Sequence, residues 1–335
     1  MKAEGTTALA RLLREFFADH LPRIRGVSPN TVHSYRDAWA LLLRFLAIRH
    51  DRPVIHLELS DLGPDDVLAF LDNLELARGN GPITRNSRLA AIHAFARYAA
   101  AGDPEHLERC QRLLAIPFKR APKRAVEYLE ADEVAAILAA PDRSTCDGRR
   151  DFALLLTMFN TGARVQEIVD IRIVDLQLVR PQQVLLHGKG RKERICPLWP
   201  QTAEVLAALI EEGGSRKPLF CNQRGQALTR FGARYLLAKY VARAKSEAPS
   251  LKSKRIHPHT MRHTTAVHLL QAGVDLVTIS HWLGHASVET TNRYAAIDME
   301  MKRTALAKVG TISQLDAGVS NWRNDKSILD WLESL

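Results

Sequence analysis

Within eight positions, Pro117-Phe118-Lys119-Arg120-Ala121-Pro122-Lys123-Arg124, the chain places two prolines and four cations. No other stretch limits the fold so strongly. Proline fixes φ and donates no backbone N–H, so two of them keep a segment out of helix interiors and central strands. Cations resist burial unless paired. The stretch therefore reads as the heart of an extended, solvated linker over residues 105–127, with a separate hydrophobic pattern on each side. At 335 residues the chain is long enough to give each side its own core.

Residues 1–104 read as a helical, DNA-binding domain. Leu9, Leu12, Leu13, Phe16, Phe17 and Leu21 recur at helical spacing over Thr6–Leu21. Ser28-Pro29 opens a second helix as cap and first-turn proline, and Tyr35, Trp39, Leu42, Leu43, Phe45 and Leu46 form its apolar face. Two more helices are expected over Asp61–Asn73 and Thr84–Ala100, parted by the breaker Gly79-Asn80-Gly81-Pro82. Arg85, Arg88 and Arg97 dot the last of them. Basic helix faces suit a DNA groove, although a solvated charged face has the same pattern.

Residues 128–309 form the second expected domain, mainly helical with a small sheet. Helices are expected over Glu130–Ala139, Asp147–Phe159, Thr202–Glu212 and Thr229–Lys245. After Gly162 breaks the chain, a helix starting at Ala163 carries Arg164 and Glu167, spaced so that the carboxylate can hold the guanidinium; a surface ion pair has the same spacing. Val184–His187 and Glu193–Leu198 read as a β-hairpin whose tip carries Lys189, Arg191 and Lys192. The tip is not a P-loop, because the preceding spacing and the Ser/Thr after the lysine are missing. Arg230 and Arg234 make a later helix basic, and Lys252 and Lys254 add a basic loop before His257.

A net charge of +10 and a pI near 9.6 favour a polyanionic partner, nucleic acid above all. Apolar runs fall far short of a membrane span, and Arg11, Arg14, Glu15, Asp19 and His20 interrupt any signal-peptide core. Cys110, Cys146, Cys196 and Cys221 have no paired spacing, which points to reduced thiols in a cytoplasmic protein, and a DNA partner would make it nucleoid-associated.

Reactive side chains concentrate in His257–Tyr294. His259 and Arg262 share a helical face, Pro258 fits the first turn, and Gly273 ends the helix. A second helix from Asp275 to Leu283 breaks at Gly284, His285 follows, and Tyr294 lies nine residues further on. His281 and His285 have a zinc-like spacing, but Gly284 interrupts the helix, no glutamate follows His281 and no third ligand is evident. No metal and no other cofactor is expected. His257, His263 and His268 read as packing or DNA-contacting residues.

Four blocks, TGARVQEI, LLHGKGRKERICPL, HTMRH and LGHASVETTNRY, resemble in order and spacing the tyrosine recombinase, or phage integrase, family over residues 161–298. The resemblance implies an N-terminal helical, SAM-like core-binding domain and an α+β catalytic domain, together a C-shaped clamp on double-stranded DNA. It implies Tyr294 as nucleophile, Arg164 and Arg262 as the phosphate clamp, Lys189 as acid for the leaving 5′ oxygen, His259 as proton acceptor from the tyrosine, His285 as a phosphate ligand and Glu167 as support for Arg164. Candidate DNA contacts are Arg85, Arg88, Lys119, Arg120, Lys123, Arg124, Arg191, Lys192, Arg230, Arg234, Lys252 and Lys254.

Such a site exchanges phosphodiester bonds. Paired arginines neutralise the non-bridging oxygens without a metal. A phenol with a pKa of about 10 needs a base or a strong positive field. The 3′-phosphotyrosyl link conserves the bond energy, so no ATP is needed. The activity implied is site-specific recombination at defined sites through a Holliday junction, serving integration, excision or transposition of a mobile element. Xer-like chromosome-dimer resolution, a catalytically inactive DNA-binding relative and a type IB topoisomerase are the alternatives. The implied assembly is a homotetramer on synapsed DNA, with related recombinases as further partners and no membrane. In the tail, residues 310–335, Ile328, Leu329, Trp331, Leu332 and Leu335 suggest a helix that docks on a neighbouring subunit or on its own domain.

Overall fold

The computed structural model describes residues 7–102, 104–121, 126–188, 190, 192–213, 218–284, 291 and 294. The chain divides into two compact units, Met1–Arg124 and Ala125–Leu335.

The first unit is helical. α1 (Ala8–Glu15), capped by Thr7, runs into a π-helical stretch (Phe16–Ile24). α2 (Pro29–Arg49), α3 (Pro64–Leu76), α4 (Pro82–Gly102) and α5 (Leu107–Leu114) follow. Ser28 occupies the N-cap of α2 with Pro29 at the first position, but its hydroxyl meets that of Thr31 rather than a backbone N–H. α3 starts three residues later than the periodicity suggests. Asp61 closes a 3₁₀ turn by accepting from Glu58 N, and Gly63-Pro64 then opens the helix. Phe16, Trp39, Leu42, Phe70, Leu89 and Phe95 meet in the core, with Phe95 edge-on to Phe16 and to Trp39.

The second unit holds α6 (Ala131–Ala139), α7 (Cys146–Thr161), α8 (Val165–Val169), β1 (Leu176–Gln177), β2 (Gln183–His187), β3 (Glu193–Pro197), α9 (Pro200–Gly213), α10 (Arg230–Ala244), α11 (Pro258–Gln271) and α12 (Leu276–Leu283). The antiparallel sheet has the order β1-β2-β3, with Val184 opposite Leu176 and Cys196, and Leu186 opposite Arg194. β2 buries Val184 and Leu186 and leaves alternate residues half-exposed, as a sheet with one covered face must. β1 is too short to show a two-residue period, and the sequence alone does not reveal it.

α7 is the central helix. Its polar residues Asp151, Thr157, Asn160 and Thr161 are buried beside Leu154 and Leu155. Each is hydrogen-bonded: Thr157 to Ala153 O, Thr161 to Thr157 O, Asn160 to Trp199 N and Pro197 O, and Asp151 to Tyr240 Oη and Arg150. That satisfaction is what makes their burial tolerable. Gly162 ends α7 with φ +57°, a conformation that favours glycine. A Cβ there would also stand 2.7 Å from Leu283 Cδ2 and 3.1 Å from Thr265 Cβ, so α11 and α12 come against this turn only because the side chain is absent. Among the described residues no helix is long and apolar enough to cross a membrane.

Candidate active site

The end of α12 organises the charged residues. Gly284 turns left-handed (φ +66°), and the last carbonyls of the helix are left without helical partners. Three arginines take three consecutive ones. Arg194 Nε donates to Trp282 O at 2.9 Å, Arg262 Nη2 to Leu283 O at 2.7 Å, and Arg164 Nη2 to Gly284 O at 3.3 Å. They come from β3, from α11 and from the N-cap of α8. The negative end of a helix dipole favours such cations.

Glu167 ties two of them together. It is 4% exposed, so it is no surface ion pair. It accepts from Arg164 N at 2.9 Å, Arg164 Nη1 at 2.8 Å and Arg194 Nη2 at 2.8 Å. Burial pushes its pKa up, but the bonds from Arg194 and then Arg164 outweigh burial and hold the carboxyl below its ordinary value. The backbone bond also explains a local difference. Arg164 is the N-cap residue and the helix begins at Val165, because Glu167 at the third helical position reaches back to the Arg164 N–H.

Arg262 is 4% exposed, and its Nη1 donates to Gly162 O at 2.8 Å. Burial, then the nearby Arg164 and Arg194, bring its pKa down to about 10, which still leaves a cation at neutral pH. His259 lies one turn before it. The surrounding protein, then His257, Arg262 and Arg164, push its pKa below the ordinary imidazole value, so at neutral pH it is uncharged and can accept a proton.

Tyr294 is 1% exposed and packs with Ala266, Val267, Leu270, Ile279 and Leu283. Its hydroxyl lies 2.7 Å from His263 Nδ1. His259 is the residue expected to accept the proton of this phenol, and His263 is the imidazole within hydrogen-bond distance of it here. His263 is four residues beyond His259, one helical turn on. A histidine at that spacing, directly after the arginine, was the available signal.

Lys189, Arg191, His285, Lys123, Arg124 and the tail at 310–335 lie outside the described residues. Of the expected DNA contacts, Arg120, Lys192, Arg230, Arg234 and Lys252 are exposed, and Arg88 is half-buried and donates to Ser34 O. Three others have carboxylate partners within the chain. Arg85 is buried 3.8 Å from Glu75, and Lys119 donates to the same carboxylate at 2.8 Å. Lys254 donates to the buried Glu133 at 2.6 Å and to Tyr128 O at 3.0 Å. Arg194 was not anticipated at all, although it stands in the hairpin block as the second arginine of GKGRKER. Among the described residues no three His, Cys, Asp or Glu side chains group as a metal site.

The phage integrase family model matches residues 127–301, and the model of the phage integrase N-terminal SAM-like domain matches residues 15–102. The chain is 43% identical over 98% of its length to y4rC of Sinorhizobium fredii, a candidate integrase/recombinase, of which it covers 98%. It is 32% identical over 87% of its length to tyrosine recombinase XerD of Ralstonia nicotianae, covering 92% of that protein. In fold it is similar to the XerH site-specific recombinase bound to its difH substrate (TM-score 0.65, 21% identity, 91% of this chain and 90% of that one). It is likewise similar to the Tn1549 transposon integrase bound to transposon right-end DNA (TM-score 0.64, 17% identity, 88% and 98%).

Proposed function

Because the chain belongs to the phage integrase family of tyrosine recombinases, we propose that it recombines DNA at specific sites, cutting and rejoining strands through a 3′-phosphotyrosyl link to Tyr294. The observation that carries the reading is the pair Arg164 and Arg262, both anchored on the carbonyls that end α12, beside a tyrosine packed on α11 and α12.

In the step proposed, Tyr294 Oη attacks phosphorus and the bond to the 5′ oxygen breaks. The phenol proton passes to an imidazole. The leaving 5′ oxygen takes a proton from Lys189. Arg164 and Arg262 face the non-bridging oxygens with N–H groups that their carbonyl bonds leave over; a guanidinium has five. Their charge balances the anionic transition state without a metal ion. Attack by another strand's 5′ hydroxyl reverses the step and releases Tyr294, so one ester replaces another and no ATP enters. For the phenol proton, the 2.7 Å bond favours His263 over His259.

The closer identity to an integrase/recombinase than to XerD supports mobile-element integration, excision or transposition over chromosome-dimer resolution. A tetramer on two synapsed sites completes the reading. The test begins by selecting bound sites from a random duplex library. A nicked suicide duplex carrying that site is then incubated with the protein in EDTA and run on a denaturing gel. A protein–DNA adduct that Tyr294→Phe abolishes is expected. No adduct with or without divalent ions defeats the recombinase reading, and an adduct that requires one defeats the metal-free step.

A further inference from the structure

We propose that Arg194 is a positioning residue of the active site: from β3 it fixes Glu167, and through Glu167 the phosphate-binding Arg164, while anchoring the end of α12. This rests on the recombinase reading above. Arg194 is the third of the arginines on the α12 carbonyls, and its side chain is 12% exposed. Its Nε is taken by Trp282 O and its Nη2 by Glu167, so two donors of a rigid fork join the α12 end to the carboxylate that holds Arg164.

Two glycines keep room for this brace. A Cβ at Gly284 would stand 3.0 Å from Arg194 Cδ and 3.1 Å from its Nη1. A Cβ at Gly188 would stand 3.3 Å from Glu167 Oε1. Gly284 directly precedes His285, and Gly188 directly precedes Lys189. Arg194 and Glu167 thus lie against the backbone just before two residues assigned to the chemistry. Lysine cannot replace the arginine, because a single ammonium lacks the fixed angle between the two bonds.

Single-turnover cleavage distinguishes positioning from mere support of the fold. The suicide duplex is made with an ordinary scissile phosphate or with an uncharged methylphosphonate, which needs less help from Arg164. Arg194→Gln and Arg194→Lys are expected to bind DNA within about twofold of wild type but to cleave the ordinary phosphate at least ~30-fold more slowly, with a deficit under about fivefold on the methylphosphonate. If Arg194 acts through Glu167, adding Arg194→Gln to Glu167→Gln slows cleavage less than about threefold further. Equal deficits on both duplexes, a double variant whose defects multiply, or failure of both single variants to fold overturns the proposal. Wild-type protein that cleaves neither duplex overturns the recombinase reading itself.

Discussion

Nδ1 of His263 stands 2.7 Å from the hydroxyl of Tyr294, while the ring of His259, on the preceding turn of α11, lies 6.2 Å from that of His257. One turn of helix therefore separates the imidazole on the Tyr294 hydroxyl from the imidazole expected to take its proton.

The two histidines are expected to differ in pH profile. His263→Ala should slow single-turnover cleavage at least ~10-fold near neutral pH, as loss of a general base does. The deficit should narrow as pH rises toward the phenol's ordinary value of about 10, where hydroxide takes the proton instead. His259→Ala should be slowed without that narrowing. Cleavage rates between pH 6 and 9.5 decide it, and narrowing in His259→Ala alone returns the proton to His259.

Lys254 and the arginines of α10 should separate stability from DNA binding. Lys254→Ala leaves the Glu133 carboxylate, 1% exposed, without its cation. Removing one partner of a fully buried pair costs about 3–5 kcal/mol, and less here because the Lys254 side chain is 23% exposed. The dependence of DNA affinity on salt should stay unchanged. Arg230→Ala and Arg234→Ala, both at exposed positions, should leave thermal unfolding alone and lower the salt slope by about one each. A Lys254→Ala protein with normal stability and a reduced slope would restore Lys254 as a phosphate contact.

That contrast marks what could be read from residues alone. Helices are legible because apolar residues repeat at 3.6, and glycines such as Gly162 and Gly284 punctuate them wherever the backbone turns left-handed. Arg164, Arg262 and Tyr294 are legible because motif spacing keeps them together. A cation's partner is not legible when it lies far along the chain: Glu133 is 121 residues from Lys254, and Glu75 is 44 from Lys119. Charge counts treat those lysines as free, and only folding reveals the carboxylates that hold them. Arg194 and His263 escaped for another reason. Each stands inside a recognised block, but what each touches, a helix-end carbonyl or a buried phenol, is set by packing.

The foot of the hairpin should respond to pH. His187 lies 3.1 Å from Asp175 and 3.0 Å from Glu193, and Arg172 donates to Asp175 at 2.9 Å. Burial pushes Asp175 up, but the bonds from Arg172 and His187 outweigh it and bring its pKa to about 2. The bond to Asp175 raises His187 above its ordinary value. Asp175 therefore contributes stability that is complete above its unfolded value near 3.8 and is lost as pH falls toward about 2. His187 contributes below its unfolded value near 6.5 and loses that contribution as pH rises through its raised value. The melting temperature of wild type should fall between pH 6 and 8.5 by more than that of His187→Gln. Parallel curves would show that the histidine adds no pH-linked stability.

Gly162→Ala should injure the site beyond its effect on the fold. Left-handed strain costs about 1 kcal/mol, and forcing a methyl against Leu283 and Thr265 adds roughly 1–3 kcal/mol. The Gly162 carbonyl also holds Arg262, so the backbone shift that relieves the clash misaims the guanidinium. Thermal unfolding and single-turnover cleavage on the same preparation test this. Full activity in a destabilised protein would show that the turn serves the fold alone.

Tyr294 belongs to the apolar cluster of α11 and α12 as much as to the chemistry, and the two memberships compete. Fully burying a large apolar side chain is worth about 1.5–3 kcal/mol, a bias of roughly ten- to a hundredfold against presenting the hydroxyl to a phosphate. For the proposed nucleophile, folding energy then acts as a safety catch among genomic phosphodiesters. A duplex held by backbone charge alone leaves the catch on, and only a site whose fit repays the lost packing releases it. Substitutions that loosen the cluster around Tyr294, at Val267 or Leu270, would be expected to yield an enzyme that cuts more sequences rather than one that cuts fewer.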